Sequence, residues 1–144
     1  LHAQLSFVEI AVRNAIDERL AEWNAASDVV AQLMFGTWVK IVRPLSPTES
    51  PSRQQFLWAA AVSHAFPHAP SGDDSRVAIG DQLDRLRRLR NRVAHHDNLL
   101  DVALKHRLNG MLSLLASLHP DYPPLAVARS TLRQLIGDDP RRTW

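Results

Sequence analysis

Five arginines crowd into eight residues, at Arg85, Arg87, Arg88, Arg90 and Arg92, and His95 and His96 follow at once. Those residue types suit one chemistry. A guanidinium clamps a phosphate through a rigid fork of N–H donors, and a His beside it titrates near neutral pH. Together they fit RNA cleavage. The His takes the proton of an attacking 2′-hydroxyl or protonates the leaving oxygen, and the Arg stabilises charge on the phosphate. That chemistry needs no metal. Arg90 has the most unusual setting of the five. Ile79, Leu83, Leu86 and Val93 fall at steps of four, three and seven, which is one face of a helix. Arg90 lies on that apolar stripe, where a Leu or Ile is expected. A guanidinium facing a core is costly unless it is paired or opens on a cleft.

The spacing also sets a problem. Asp84, Arg88, Asn91 and His95 share a neighbouring face at steps of four, three and four. Arg90 and His95 are five apart, which is about 140° on a regular helix. They converge only if the Arg side chain wraps round, if the helix ends near Ala94, or if a second subunit closes the site. The competing reading is a structural ion pair at Arg90 and a His that caps a helix end. Likewise, Arg85, Arg87, Arg88 and Arg92 are either contacts to an RNA backbone or a solvated face. His96 is either a spare base or an exposed side chain.

The 144 residues suit one domain with one core, residues 1–144, with a tail from 137. Apolar residues make up 45% of the chain, enough to build that core. There is no Cys, which excludes disulfides, thiolate zinc sites and Cys nucleophiles and fits a cytoplasmic setting. Formal net charge is only +2, so the basic cluster is local and favours a phosphate-bearing or acidic partner. No apolar run is long enough to span a bilayer, so no membrane partner is expected. The chain opens on Leu1 rather than Met, so residues can precede it.

The elements that must hold these residues read as helices throughout. Residues 2 to about 24 form the first, with Leu5, Val8, Val12, Ala15, Ile16 and Leu20 as its stripe. Phe7, Ile10 and Ala11 widen that stripe almost all round, the mark of a buried helix. Its polar residues Glu9, Arg13 and Asp17 lie at successive i,i+4 steps beside Asn14, a ladder of alternating charge. Asn24 to Asp28 reads as a loop, and Val29 to Phe35 as either a short helix or an extended piece. Gly36-Thr37 opens a short helix through Arg43 that Pro44 ends. A third helix runs from Arg53 to Phe66 with Phe56, Leu57, Ala60, Ala61, His64 and Ala65 inward. The fourth runs from about Arg76 to Ala94, capped by Asp73, Asp74 or Ser75, with a break at Asp97-Asn98. A fifth runs from Val102 to about Leu118 with Asp101 as its cap. A last helix starts at Pro123-Pro124 and runs through about Ile136, where Gly137 terminates it. The expected fold is all-α, a compact bundle of about five to six helices.

With the helices in place, a family resemblance can be stated. Arg90-Asn91-Arg92-Val93-Ala94-His95-His96 resembles the R-N-x-x-x-H motif of HEPN-domain proteins. Leu89 to Asp97 resembles the abortive-infection (Abi-like) branch, which reads L-R-N-R-I-A-H-H-E-P. Phe7-Val8-Glu9-Ile10-Ala11-Val12-Arg13-Asn14-Ala15-Ile16 is similar to the E-x-x-x-R-N helix of that branch, and Gly36-Thr37-Trp38-Val39 is a third match. These blocks span most of residues 5 to 100. Asp97-Asn98 departs from the Glu-Pro of the pattern, and the stretch from Leu112 to Trp144 lacks its Trp-rich ending. The resemblance implies a HEPN fold, a homodimer, and metal-independent endoribonuclease activity with no cofactor. It implies Arg90 and His95 as catalytic residues and Asn91 as the residue that orients the site. Glu9, Arg13, Asn14 and His96 would support them, while Arg87, Arg88 and Arg92 would contact the RNA backbone. The role implied is a toxin or phage-defence effector with RNA as substrate and an antitoxin or regulatory partner.

Other readings of the same residues are blander. His64-x-x-x-His68 is interrupted by Pro67, and adjacent residues such as His95-His96-Asp97 rarely chelate together, so no metal site is expected. Trp38, Trp58 and Phe56 at helical spacing belong to a core rather than to a base-stacking surface. The rivals to a ribonuclease are a non-catalytic RNA-binding module and a helical protein-interaction domain.

Overall fold

The computed structural model describes residues 1–23, 35–128 and 130–138, and these form an all-α compact arrangement. Its helices are α1 (His2–Trp23), α2 (Phe35–Val42), α3 (Pro51–Ala60), α4 (Asp73–Ala94), α5 (Leu104–Leu118), α6 (Tyr122–Val127) and α7 (Leu132–Gly137), with a 3-10 turn at Val62–Ala65. The Asn24–Asp28 loop, the Val29–Phe35 piece as far as residue 34, and the tail beyond Asp138 lie outside the described residues.

α1 is central. It buries Leu5, Val8, Val12, Ile16 and Leu20, the expected stripe, and adds Gln4. One flank meets α5, α6 and the 3-10 turn, and the other meets α4. Phe7, Ala11 and Ala15 are therefore half-buried, while Ile10 faces solvent.

α4 is as long as α1 and buries Ile79, Leu83, Leu86 and Leu89 against α2, α5 and α1. Its N-cap is Gly72, at φ 122, rather than an Asp or Ser. Asp73 and Asp74 instead occupy the first turn, where negative charge suits the helix dipole. Asp73 also takes the Arg76 guanidinium, whose Nη1 donates to the Val42 carbonyl at 2.8 Å. That bond ties the start of α4 to the end of α2. Gly80 makes the contact closer still, because a Cβ there would lie 2.9 Å from the Arg43 Cβ.

Several boundaries differ from the sequence expectation, each for a local reason. The third helix starts at Pro51, with the Ser50 side chain accepting from the Ser52 N–H, and stops at Ala60. The chain then tightens into the 3-10 turn. Gln54, Trp58, Ala61, Val62 and Ala65 lie inside at helical steps of three and four, while Phe56 turns outward, 62% exposed, and His64, expected inward, is exposed too. The larger indole takes the core position, stacked on Phe66 at 5.7 Å, and Phe56 rests edge-on against Trp23. The last helix is divided into α6 and α7. Ser130 and Thr131 interrupt it, and Thr131 becomes the N-cap of α7, a position its side-chain type favours over a helix interior. This division raises the helix number from the expected five or six to seven among the described residues. α5 starts at Leu104, because Asp101 is engaged by Arg92 rather than capping it.

Candidate functional site

The last turns of α4 carry the candidate site. The helix ends at Ala94. The His95 N–H donates to the Asn91 carbonyl at 2.9 Å, the His96 N–H to Val93 at 3.3 Å and the Asp97 N–H to Arg92 at 2.9 Å. The last two bonds are those of a Schellman motif. His96 fills its left-handed position at φ 55, which glycine usually takes. One of the conditions for bringing Arg90 and His95 together, a helix end near Ala94, is therefore met.

Arg90 is not a core residue. It has the inward angle of the Ile79–Leu86 stripe, yet its side chain is 50% exposed. The reason lies in what covers it. The face that is buried from Arg76 to Leu89 emerges beyond Leu89, so Arg90 and Ala94 are exposed and Val93 is half-buried. Arg90 therefore opens on a pocket of about 200 Å³ between α4 and the start of α1, lined by His2, Leu5, Ser6, Glu9, Arg90, Val93 and Ala94. Its Nε lies 3.5 Å from Glu9 Oε2, the carboxylate that an inward Arg requires. Glu9 orients the guanidinium from its Nε side and leaves the pocket open to solvent.

The other expected site residues are distributed more widely. His95 is the exposed C-cap residue and does not line the Arg90 pocket. Asn91 is half-buried one turn before it. Arg13 is half-buried and makes no ion pair among the described residues, so the Glu9–Arg13–Asp17 ladder does not form. Asn14 points to the opposite flank of α1, five positions or about 140° from Glu9.

Three arginines are held within the protein. Asp84, only 3% exposed, accepts from Arg87 Nε at 3.0 Å and Arg87 Nη2 at 2.8 Å, and it pairs with Arg88 Nη2 at 2.8 Å. Burial raises the Asp84 pKa, but the Arg87 hydrogen bonds and the charges of Arg87 and Arg88 outweigh it and hold the carboxyl below its ordinary value. Arg43, just past the end of α2, approaches the same carboxylate at 3.9 Å. Arg92 bonds both oxygens of Asp101 and donates to the Asn98 carbonyl, which fixes the segment after α4. The Arg92 hydrogen bond also lowers the Asp101 pKa. Of these three, Arg88 keeps most of its side chain in solvent, at 71% exposure.

The chain matches no protein-family model, no curated protein and no solved structure.

The geometry therefore stands on its own. It supplies a solvent-open pocket at a helix end, walled by an Arg–Glu pair, with an exposed His outside its lining. Among the described residues no three His, Asp or Glu side chains gather as metal ligands would, and no helix is long and apolar enough to cross a membrane. One residue of the pocket was missed in the sequence. His2 faces Arg90 across it, with Nδ1 3.3 Å from Ser6 Oγ. The signal was present: His2, Ser6, Glu9 and Arg13 follow each other at steps of four, three and four, a polar stripe on one face of α1.

Proposed function

We propose that this chain is a metal-independent endoribonuclease of the HEPN type. The carrying observation is Arg90. It sits half-exposed on the inner face of α4, aligned by Glu9 over an open pocket, inside the one stretch that resembles the R-N-x-x-x-H motif. In this reading Arg90 holds the scissile phosphate and offsets the charge that grows on it. His95 moves the proton. The ribose 2′-oxygen bonds to phosphorus, the 5′-oxygen leaves with a proton, and the products are a 2′,3′-cyclic phosphate and a 5′-hydroxyl. His95 lies outside the Arg90 pocket of its own protomer, so the active unit is taken to be a homodimer that completes the site. Asn91 orients that site, and Arg88 is the arginine best exposed to follow the RNA backbone. The biological role that fits is a cytoplasmic toxin or phage-defence effector, restrained by an antitoxin or regulatory partner.

The test is incubation of the purified protein with total RNA in EDTA, beside Arg90→Ala and His95→Ala. Cleavage with cyclic phosphate ends, lost in both variants, is the expected result. Intact RNA under every condition would overturn the enzyme reading. The exposed position of His95, away from the pocket, favours a second reading as a non-catalytic RNA-binding module. That reading expects RNA affinity that survives His95→Ala and falls steeply with added salt.

A further inference from the structure

A second pocket opens on the other flank of α1, where α1 meets the 3-10 turn and the α5–α6 corner. It holds about 210 Å³, and Asn14, Arg19, His64, His119 and Tyr122 are among its lining residues. Two backbone contacts decide what the histidines present. His64 Nδ1 lies 3.3 Å from the Ala61 carbonyl, which can only accept, so Nδ1 carries the hydrogen and Nε2 is left as an acceptor. His119 Nδ1 lies 3.2 Å from the Asp121 N–H and 3.7 Å from the Asp121 carboxylate; it accepts from the first in the neutral ring and pairs with the second in the charged one, and Nε2 carries a hydrogen in both. The pocket is thus walled by one imidazole acceptor and one imidazole donor. The Asn14 amide, which makes no hydrogen bond among the described residues, adds one group of each kind.

The aromatic surroundings point the same way. The His119 and Tyr122 rings lie 5.4 Å apart at 37°, with Phe7 edge-on to Tyr122 at 6.1 Å and His68 edge-on to His119 at 6.5 Å. Of these rings His119 and Tyr122 line the pocket, and Phe7 and His68 brace them from outside its lining. Charge argues against an anion. Arg19 already meets Glu22 at 2.8 Å and Glu18 at 4.0 Å, so the pocket carries little uncompensated positive charge. The volume is below the roughly 300 Å³ at which drug-sized ligands begin, so it suits one small ring system rather than a whole nucleotide.

We propose that this pocket binds a neutral nucleobase, read at its edge by Asn14 and His64 and stacked on the Tyr122–His119 wall. The inference goes beyond the ribonuclease reading and does not depend on it. The base can belong to a free nucleoside or to an unpaired residue of single-stranded RNA.

Calorimetric titration separates these sources. The probes are adenosine, uridine, a short single-stranded RNA, and the same sugar-phosphate chain without bases, each against the full chain and against Asn14→Ala, His64→Ala and Tyr122→Leu. Base-dependent binding that weakens about tenfold in Asn14→Ala or His64→Ala is expected. Binding of nucleosides assigns the free source, and binding of the RNA alone, weakened in the same variants, assigns the polymer; both support the pocket. Should Tyr122→Leu lower the melting temperature, the exposed Asn14 and His64 still carry the test. No binding of any base-bearing probe, or equal binding by all variants and by the base-free chain, overturns the proposal.

Discussion

Replacing Asp84 by Asn tests how much one buried carboxylate contributes by pairing with Arg87 and Arg88 of its own helix. The substitution keeps the volume and one acceptor oxygen. It removes the charge and turns an amide group toward the guanidiniums of Arg87 and Arg88, with Arg43 just beyond. Breaking a fully buried ion pair costs about 3–5 kcal/mol. The loss here is smaller, because the Arg87 and Arg88 side chains are 29% and 71% exposed and water recovers part of the interaction. A net loss of about 2 kcal/mol follows, or a fall in Tm of about 5–10 °C for a domain of this size. Thermal unfolding followed by circular dichroism measures it at neutral pH. The pH dependence supplies a second check. The folded carboxyl titrates below its unfolded value, so its contribution is complete above that value and is lost as pH falls through the depressed one. The gap between the wild-type protein and Asp84→Asn should therefore close in strong acid. A neutral-pH gap under about 2 °C, or a gap that widens in acid, would refute the ion-pair account of Asp84.

Three further perturbations probe other parts of the frame. Gly80→Ala gains helix propensity but drives a Cβ to 2.9 Å from Arg43, so the urea midpoint should fall by an amount equal to about 1–2 kcal/mol; an unchanged midpoint would mean that α2 moves aside freely. His96→Gly relieves the left-handed backbone at φ 55 and should raise the urea midpoint by about 0.5–1 kcal/mol, and a loss of stability would show that the imidazole makes a contact worth more than the strain. Arg92→Gln removes the bidentate bond to Asp101, and hydrogen exchange should quicken through residues 95–103; exchange as slow as in the wild-type protein would show that the Schellman bonds alone hold the segment.

What could be read beforehand divides along physical lines. Burial on one side of a helix leaves a 3.6-residue period, so the α1 stripe and the run of α4 were legible from spacing alone. The end of α4 was legible because Asp97-Asn98 breaks the pattern. Periodicity gives an angle about the axis, however, and not the point where the neighbouring helices stop. Arg90 therefore has a core angle and a solvent-exposed side chain. Asp84 reads as part of an exposed polar face with Arg88, Asn91 and His95, but α2, over forty residues earlier in the sequence, buries it. Phe56 and Trp58 are two apart, so they face different sides of α3, and the side that packs is the one Trp58 shares with Gln54 and Ala61. In the same way Glu9 and Asn14 stand in one short block of sequence and serve opposite flanks of one helix.

The double restraint on the segment after α4 has a consequence for association. His95 is exposed, yet the chain around it is latched by the Schellman bonds on one side and by Arg92 to Asn98 and Asp101 on the other. A surface already ordered before contact gives up little conformational entropy when something docks on it. Anything that docks at this end of the helix meets a preorganised face, and discrimination there depends on shape and charge rather than on folding upon binding.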